Sequence, residues 1–138
     1  MPIVNSVALI NPGLGVGAQV QQVLATALST TGAVANTIPA TGTLAQTFRS
    51  GKIRIKISNG AGTSPTLVAL QVSVTDGTTT ELLFEFSPAV ATPLSATSYV
   101  DLSFDFITDL NANKVTVTTT LGGTSPTATM DMEACLEP

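Results

Sequence analysis

Apolar and polar positions along this chain alternate with a period of two. The pattern is clearest in Lys52-Ile53-Arg54-Ile55-Lys56-Ile57, where the isoleucines fall on one face and the cations on the other. Tyr99 to Ile107 repeats it, with Leu102, Phe104 and Phe106 inward and Asp101, Ser103 and Asp105 outward. Glu81 to Phe86 places Leu82, Phe84 and Phe86 on one face, and Leu67 to Val74 is a longer apolar strand that Asp76-Gly77 turns. Val115 to Leu121 and Thr129 to Leu136 read as the last two strands, joined through Gly122-Gly123 and Pro126. Asn59-Gly60, Pro88, Pro93 and Asn111-Ala112-Asn113 supply the other breaks. Ile3 to Ile10 predicts a first strand, ended by Asn11-Pro12-Gly13, and Gly13-Leu14-Gly15-Val16-Gly17 predicts a loop. Gln19 to Leu28 reads two ways. A strand or irregular arm is favoured, and a short helix with Val20, Val23, Leu24, Ala27 and Leu28 on one face is the runner-up.

About eight short strands separated by turns predict an all-β chain. The expected architecture is an antiparallel β-sandwich, jelly-roll-like, of two packed four-stranded sheets. No internal repeat or interdomain linker interrupts residues 1–138, which read as a single domain. Residues 1–48 carry no charge, yet their apolar content argues against disorder. They belong either to the sheet or to an uncharged N-terminal arm lying on a neighbouring subunit.

Charge changes the picture. Charged residues make up 10% of the chain, against roughly 25% in ordinary soluble domains, while apolar residues make up 43%. The predicted surface is therefore rich in Thr, Ser, Asn, Gln and Ala, which are cheap to desolvate and suit a protein packed against neighbours. Arg49, Lys52, Arg54 and Lys56 cluster, Lys114 is the remaining cation, and all nine acids lie from Asp76 onward. The cluster is the candidate interface: basic and acidic patches of this kind steer identical subunits into register. Two ordinary solvated faces are the alternative.

Candidate chemistry is thin. Histidine is absent, which removes Ser-His-Asp and Cys-His nucleophiles and imidazole metal ligands. Gly13-x-Gly15-x-x-Ala18 opens like a dinucleotide-binding turn, but no acid follows before Asp76 to hold a ribose. Asp109-x-Asn111-x-Asn113 opens like a calcium loop, but Lys114 and Thr120 stand where Gly and Glu are required. The carboxylate pairs Glu81 with Glu85, Asp101 with Asp105 and Asp131 with Glu133 read as outward strand positions, since one Tyr and no Trp poorly equip a sugar cleft. Cys135 stands alone and reads as a small apolar residue. The basic cluster lacks interleaved aromatics and the chain is net −4, which disfavours nucleic acid. No apolar run reaches membrane-spanning length, and no basic n-region precedes an apolar run, so synthesis in the cytoplasm without a signal peptide is expected. No catalytic, cofactor-binding or metal residue is predicted, and no enzyme.

Thr37-Ile38-Pro39-Ala40-x-x-x-Leu44 followed by Gly51-Lys52-Ile53-Arg54-Ile55-Lys56 resembles the opening of jelly-roll modules in phage structural proteins. In such a module Pro39 fixes a turn at a strand end and Leu44 tucks beneath the next strand. The resemblance implies a bacteriophage virion component, foremost a capsid decoration or cement protein bound to the major capsid protein. It also implies a homo-oligomer, with a trimer favoured. A small tail or fibre module that binds carbohydrate or a host cell surface is the alternative, and exposed aromatics would mark it.

Overall fold

The computed structural model describes the backbone of residues 20–28 and 33–138 and the side chains of 33–58 and 64–138. The expected strand at Ile3 to Ile10 and the glycine-rich loop lie outside the described residues. Within them the chain is all-β, with seven strands: β1 (Val20–Leu28), β2 (Ala33–Ile38), β3 (Phe48–Thr75), β4 (Thr80–Phe86), β5 (Thr92–Pro93), β6 (Val100–Ala112) and β7 (Lys114–Glu137). Every pairing is antiparallel. Of the segment Gln19 to Leu28, the described part, Val20–Leu28, is a strand and not a helix.

Two long strands organise the molecule. β3 and β7 pair from Ser50↔Glu137 to Thr75↔Lys114. Their register shifts repeatedly between Ser58 and Ala69, where Ser64 and Ser125 take positive φ of 52° and 48°. Bulges of this kind bend a strand and raise its twist, and they divide each long strand into two arms. One half of the sandwich runs β1, the end of β7, the start of β3, then β6. The other runs β2, the start of β7, the end of β3, then β4, with β5 also on β3. All seven strands belong to one hydrogen-bonded sheet, which the bends in β3 and β7 divide into halves of four and five strands, where two separate four-stranded sheets were expected. The sequence predicts Asn59-Gly60 and Gly122-Gly123 to end strands, but there the chain bends and keeps pairing.

The inner faces share one core. Ile53, Ile55 and Ile57 of β3 and Met130, Met132 and Ala134 of β7 are fully buried in the first half, as are Leu70, Val72, Val74, Val115 and Val117 in the second. Burial of each large aliphatic side chain is worth about 1.5–3 kcal/mol. Phe48 meets Phe106 edge-on at 6.1 Å, and Phe84 of β4 stacks on Phe104 of β6 at 4.9 Å, joining the two halves. Gly51 stands where backbones crowd: a Cβ there would lie 2.5 Å from the Cys135 carbonyl oxygen.

Turn chemistry follows the sequence. Asp76 Oδ1 accepts the backbone N–H groups of Thr78 and Thr79, and Gly77 takes φ 96°. Those two donors, Thr79 foremost, hold the Asp76 carboxyl below its ordinary value. Ile38, fully buried, ends β2, and the Ile38–Pro39 bond is cis. Leu44 packs against the core and its N–H donates to Asn113 O at 2.9 Å. Pro39 thus follows the end of β2 as the resemblance implies, while Leu44 is bonded at the junction of β6 and β7. Leu82 departs from expectation. A register shift between Val72 and Ser73 puts Leu83 against the core and leaves Leu82 53% exposed.

Candidate interaction surface

The outer face of the first half gathers most of the charge. Strict alternation turns Lys52, Arg54 and Lys56 outward on central strand β3, because Ile53, Ile55 and Ile57 fill the core. The neighbours on both sides are acidic. Lys52 pairs across to Asp105 of β6 and Cys135 of β7, Arg54 to Ser103 and Glu133, and Lys56 to Asp101 and Asp131. A cationic row thus lies between two anionic rows, and the segregation of charge along the sequence becomes a match within one subunit.

Arg54 anchors this ladder. Its Nε and Nη2 donate to both oxygens of Asp101, at 3.0 and 2.7 Å, across the diagonal of the β3–β6 pair. The hydrogen bond from Arg54 holds the Asp101 carboxyl below its usual value, and Asp101 in turn raises Arg54. Lys56 Nζ sits 4.8 Å from the centre of the Tyr99 ring. Arg49 stands apart from the row. A register shift between Phe48 and Ser50 displaces it toward the end of β6, where its Nε donates to Asn111 Oδ1 at 2.9 Å. Of the four cations of the candidate interface, three therefore form one row and Arg49 flanks it.

Shallow depressions of about 290 to 380 Å³ run along this face, lined by Lys52, Arg54, Lys56, Ser103, Asp131 and Glu133, among others. They are open clefts between side chains. Cys135 faces into two of them beside Lys52. Among the described residues no group of three or more His, Cys, Asp or Glu is placed to hold a metal ion, and no helix is long and apolar enough to cross a membrane. The Asp109, Asn111, Asn113 triplet does not form a loop. Asp109 and Asn111 belong to β6, and Asn113 is the single residue joining β6 to β7, its N–H donating to Thr75 O.

What sequence reasoning missed is the acidic partner set, Asp101 and Asp105 on β6 and Asp131 and Glu133 on β7. Its signal was present, since each sits at an outward period-two position. What was missing was the strand order that brings them beside β3.

No protein-family model matches the chain, and no curated protein sequence matches it. Among solved structures, the fold is similar to the pilus protein of Bacillus endospore appendages, described as a novel family of disulfide-linked pili, at 13% identity and TM-score 0.43, covering 87% of this chain and 88% of that one. It is similar to a chain of the cyanophage Pam1 capsid asymmetric unit at 16% identity and TM-score 0.48, covering 99% and 98%. It is also similar to a chain of infectious bursal disease virus, Gx strain, at 8% identity and TM-score 0.49, covering 86% of this chain and 33% of that one. At these identities and scores the likeness is one of strand arrangement alone.

Proposed function

We propose that the chain is a non-enzymatic structural subunit of a virus particle, a decoration or cement protein that binds and stabilises a repeated protein shell. The observation that carries this reading is the distribution of surface chemistry on a closed core. The sandwich spends most of its apolar residues on one shared core and lays its cationic row beside its own carboxylates, with one ion pair, Arg54–Asp101, among the described residues. It leaves strands β1, β2, β4 and β6 each paired on one side among the described residues. Edges of this kind are stable in a protein whose neighbours cover them. The virus-particle context comes from the resemblance of residues 37–56 to phage modules.

In this reading the charged outer face, with Lys52, Arg54 and Lys56 as its cationic row and Arg49 at its end, is turned toward the shell. The uncharged strands β1 and β2 lie on the opposite flank and join copies into a closed homo-oligomer, a trimer foremost. The carbohydrate-binding alternative rests on an exposed aromatic. Tyr99 is 51% exposed, but Lys56 occupies one face of its ring, which weakens it as a sugar platform.

The experiment is co-sedimentation with empty shells assembled from the capsid protein of the same genome. Saturation at a fixed number of copies per shell, with a raised shell melting temperature, is expected. Absence of the chain from sedimented shells overturns the reading. Lys52→Glu, which alters a cation with no ion pair among the described residues, weakens docking if this face contacts the shell.

A further inference from the structure

We propose that the free edge of β6 is a strand-addition site whose occupant is an alternating basic and apolar segment of an unlike protein. The proposal deepens the shell-binding reading and rests on it for the identity of the partner.

Three observations point to this occupant. First, among the described residues β6 pairs only with β3, and β4 only with β3, so the flank where these two strands lie side by side carries two open edges. Side chains bridge the strands there, through the Phe84–Phe104 stack and the hydrogen bond from Thr108 to Glu81. Second, the inner side of that edge is apolar and incompletely covered. Leu102, Phe104, Phe84 and Phe86 are all partly buried, and Ile107, on the outer side, is 82% exposed. Third, the outer side is acidic. Asp105 and Asp109 on β6 have no ion pair among the described residues, and Asp101 lies in the same row.

A strand adding to this edge points alternate side chains to the two faces. One set meets Phe104 and Leu102, the other meets the carboxylates. The matching sequence is apolar, basic, apolar, basic. That is the chemistry of Lys52 to Ile57, which already occupies the opposite edge of β6 with its isoleucines inward and its cations beside Asp101 and Asp105.

A second copy cannot supply such a strand. Its own alternating basic segment is the centre of β3, paired on one side with β6 and on the other with β7. Two β6 edges brought together antiparallel about Asp105 would oppose carboxylates, with Asp101 facing Asp109. The occupant therefore belongs to a different protein.

The test uses the full chain and two synthetic hexapeptides. One is N-acetyl-Lys-Ile-Arg-Ile-Lys-Ile-amide, and the other its charge-reversed form with Glu and Asp. Backbone amide shifts and hydrogen exchange are followed by NMR during titration. The proposal expects saturable binding of the cationic peptide, with shifts and new protection confined to Val100–Ile107. The charge-reversed peptide should bind at least tenfold more weakly. The surface variant Asp105→Asn/Asp109→Asn should bind the cationic peptide several-fold more weakly while keeping the wild-type spectrum elsewhere. Equal binding of both peptides, or shifts mapping away from β6, overturns it and leaves the carboxylates as guards against edge pairing. So does prior protection of this edge in a self-associated protein, which would make the occupant a second copy. Shell binding that persists undiminished in the double variant also overturns this site while leaving the proposed function intact.

Discussion

The two halves of the sandwich are cut from the same pair of strands and present different outer faces. The half containing β6 turns Lys52, Arg54, Lys56, Asp101, Asp105 and Glu133 outward. The half containing β2 turns out Gln71, Ser73, Thr116 and Thr118 from its central strands, with a Gln71–Glu85 hydrogen bond of 2.7 Å, and carries Glu81, Glu85 and Lys114 as its charges. Beneath both faces the described inward positions of β3 and β7 are mainly aliphatic, with Thr119 of β7 buried among them. Core packing therefore sets the fold and leaves the outer face free to differ. A hydroxyl-rich face loses less than a charged one when water is removed and its hydroxyls find new partners, which suits contacts between copies. A charged face loses more unless its partner replaces the lost hydration, which suits selection of one partner over others.

The largest effects belong to what the halves share. Ile55→Ala in the half containing β6 and Leu70→Ala in the half containing β2 should each cost about 2–5 kcal/mol. Each should lower the melting temperature in a single transition, because β3 and β7 run through both. Two separate calorimetric transitions in either variant would show that the halves are independent units.

Glycine substitutions sharpen the contrast at a smaller scale. A methyl group at Gly51 meets the Cys135 carbonyl oxygen at 2.5 Å, backbone that can move only with β7. Gly51→Ala should cost roughly 1–3 kcal/mol. At Gly122 the methyl meets the Thr66 hydroxyl at 2.7 Å and a Val68 methyl at 3.0 Å, both side-chain atoms at the bend. Gly122→Ala should cost less, and chemical denaturation that reverses this order would contradict the packing described at the two sites.

Both the outline and the limits of this fold follow from period-two patterning. The alternation in Lys52 to Ile57 and Tyr99 to Ile107 located β3 and β6 and assigned their faces correctly. β2 escaped because Ala33-Val34-Ala35-Asn36-Thr37-Ile38 carries too little contrast between its faces. Its place is set by pairing with β7 far along the chain. The bends were misread as turns because Gly and Asn permit either outcome, and tertiary pairing decides. Of the candidate site, the cationic row was legible, whereas its acidic neighbours were not. They depend on the order of strands, which is a property of the whole chain.

The smallest effect is electrostatic and confined to the half containing β6. Arg54 lowers the Asp101 pKa, so the pair contributes stability at neutral pH, above the unfolded-state value of 3.8. That contribution is lost as pH falls through the depressed folded value. Asp101→Asn should be less stable than wild type at pH 7, and the two should converge as the medium is acidified from about pH 5 toward 2. Parallel urea-denaturation curves across that range would remove the ion pair from the account.

In the proposed arrangement the uncharged edge strands β1 and β2 join copies, while the β6 edge is kept for an unlike partner. Its most direct test is the absolute mass of the particle by light scattering after size exclusion, over a wide range of protein concentration at low and high salt. The expected particle is a closed oligomer, three copies of the 14.0 kDa chain foremost, whose mass changes with neither concentration nor salt, because a contact without charge is not screened. A monomer at every concentration, or an oligomer that dissociates as salt is raised, would contradict it.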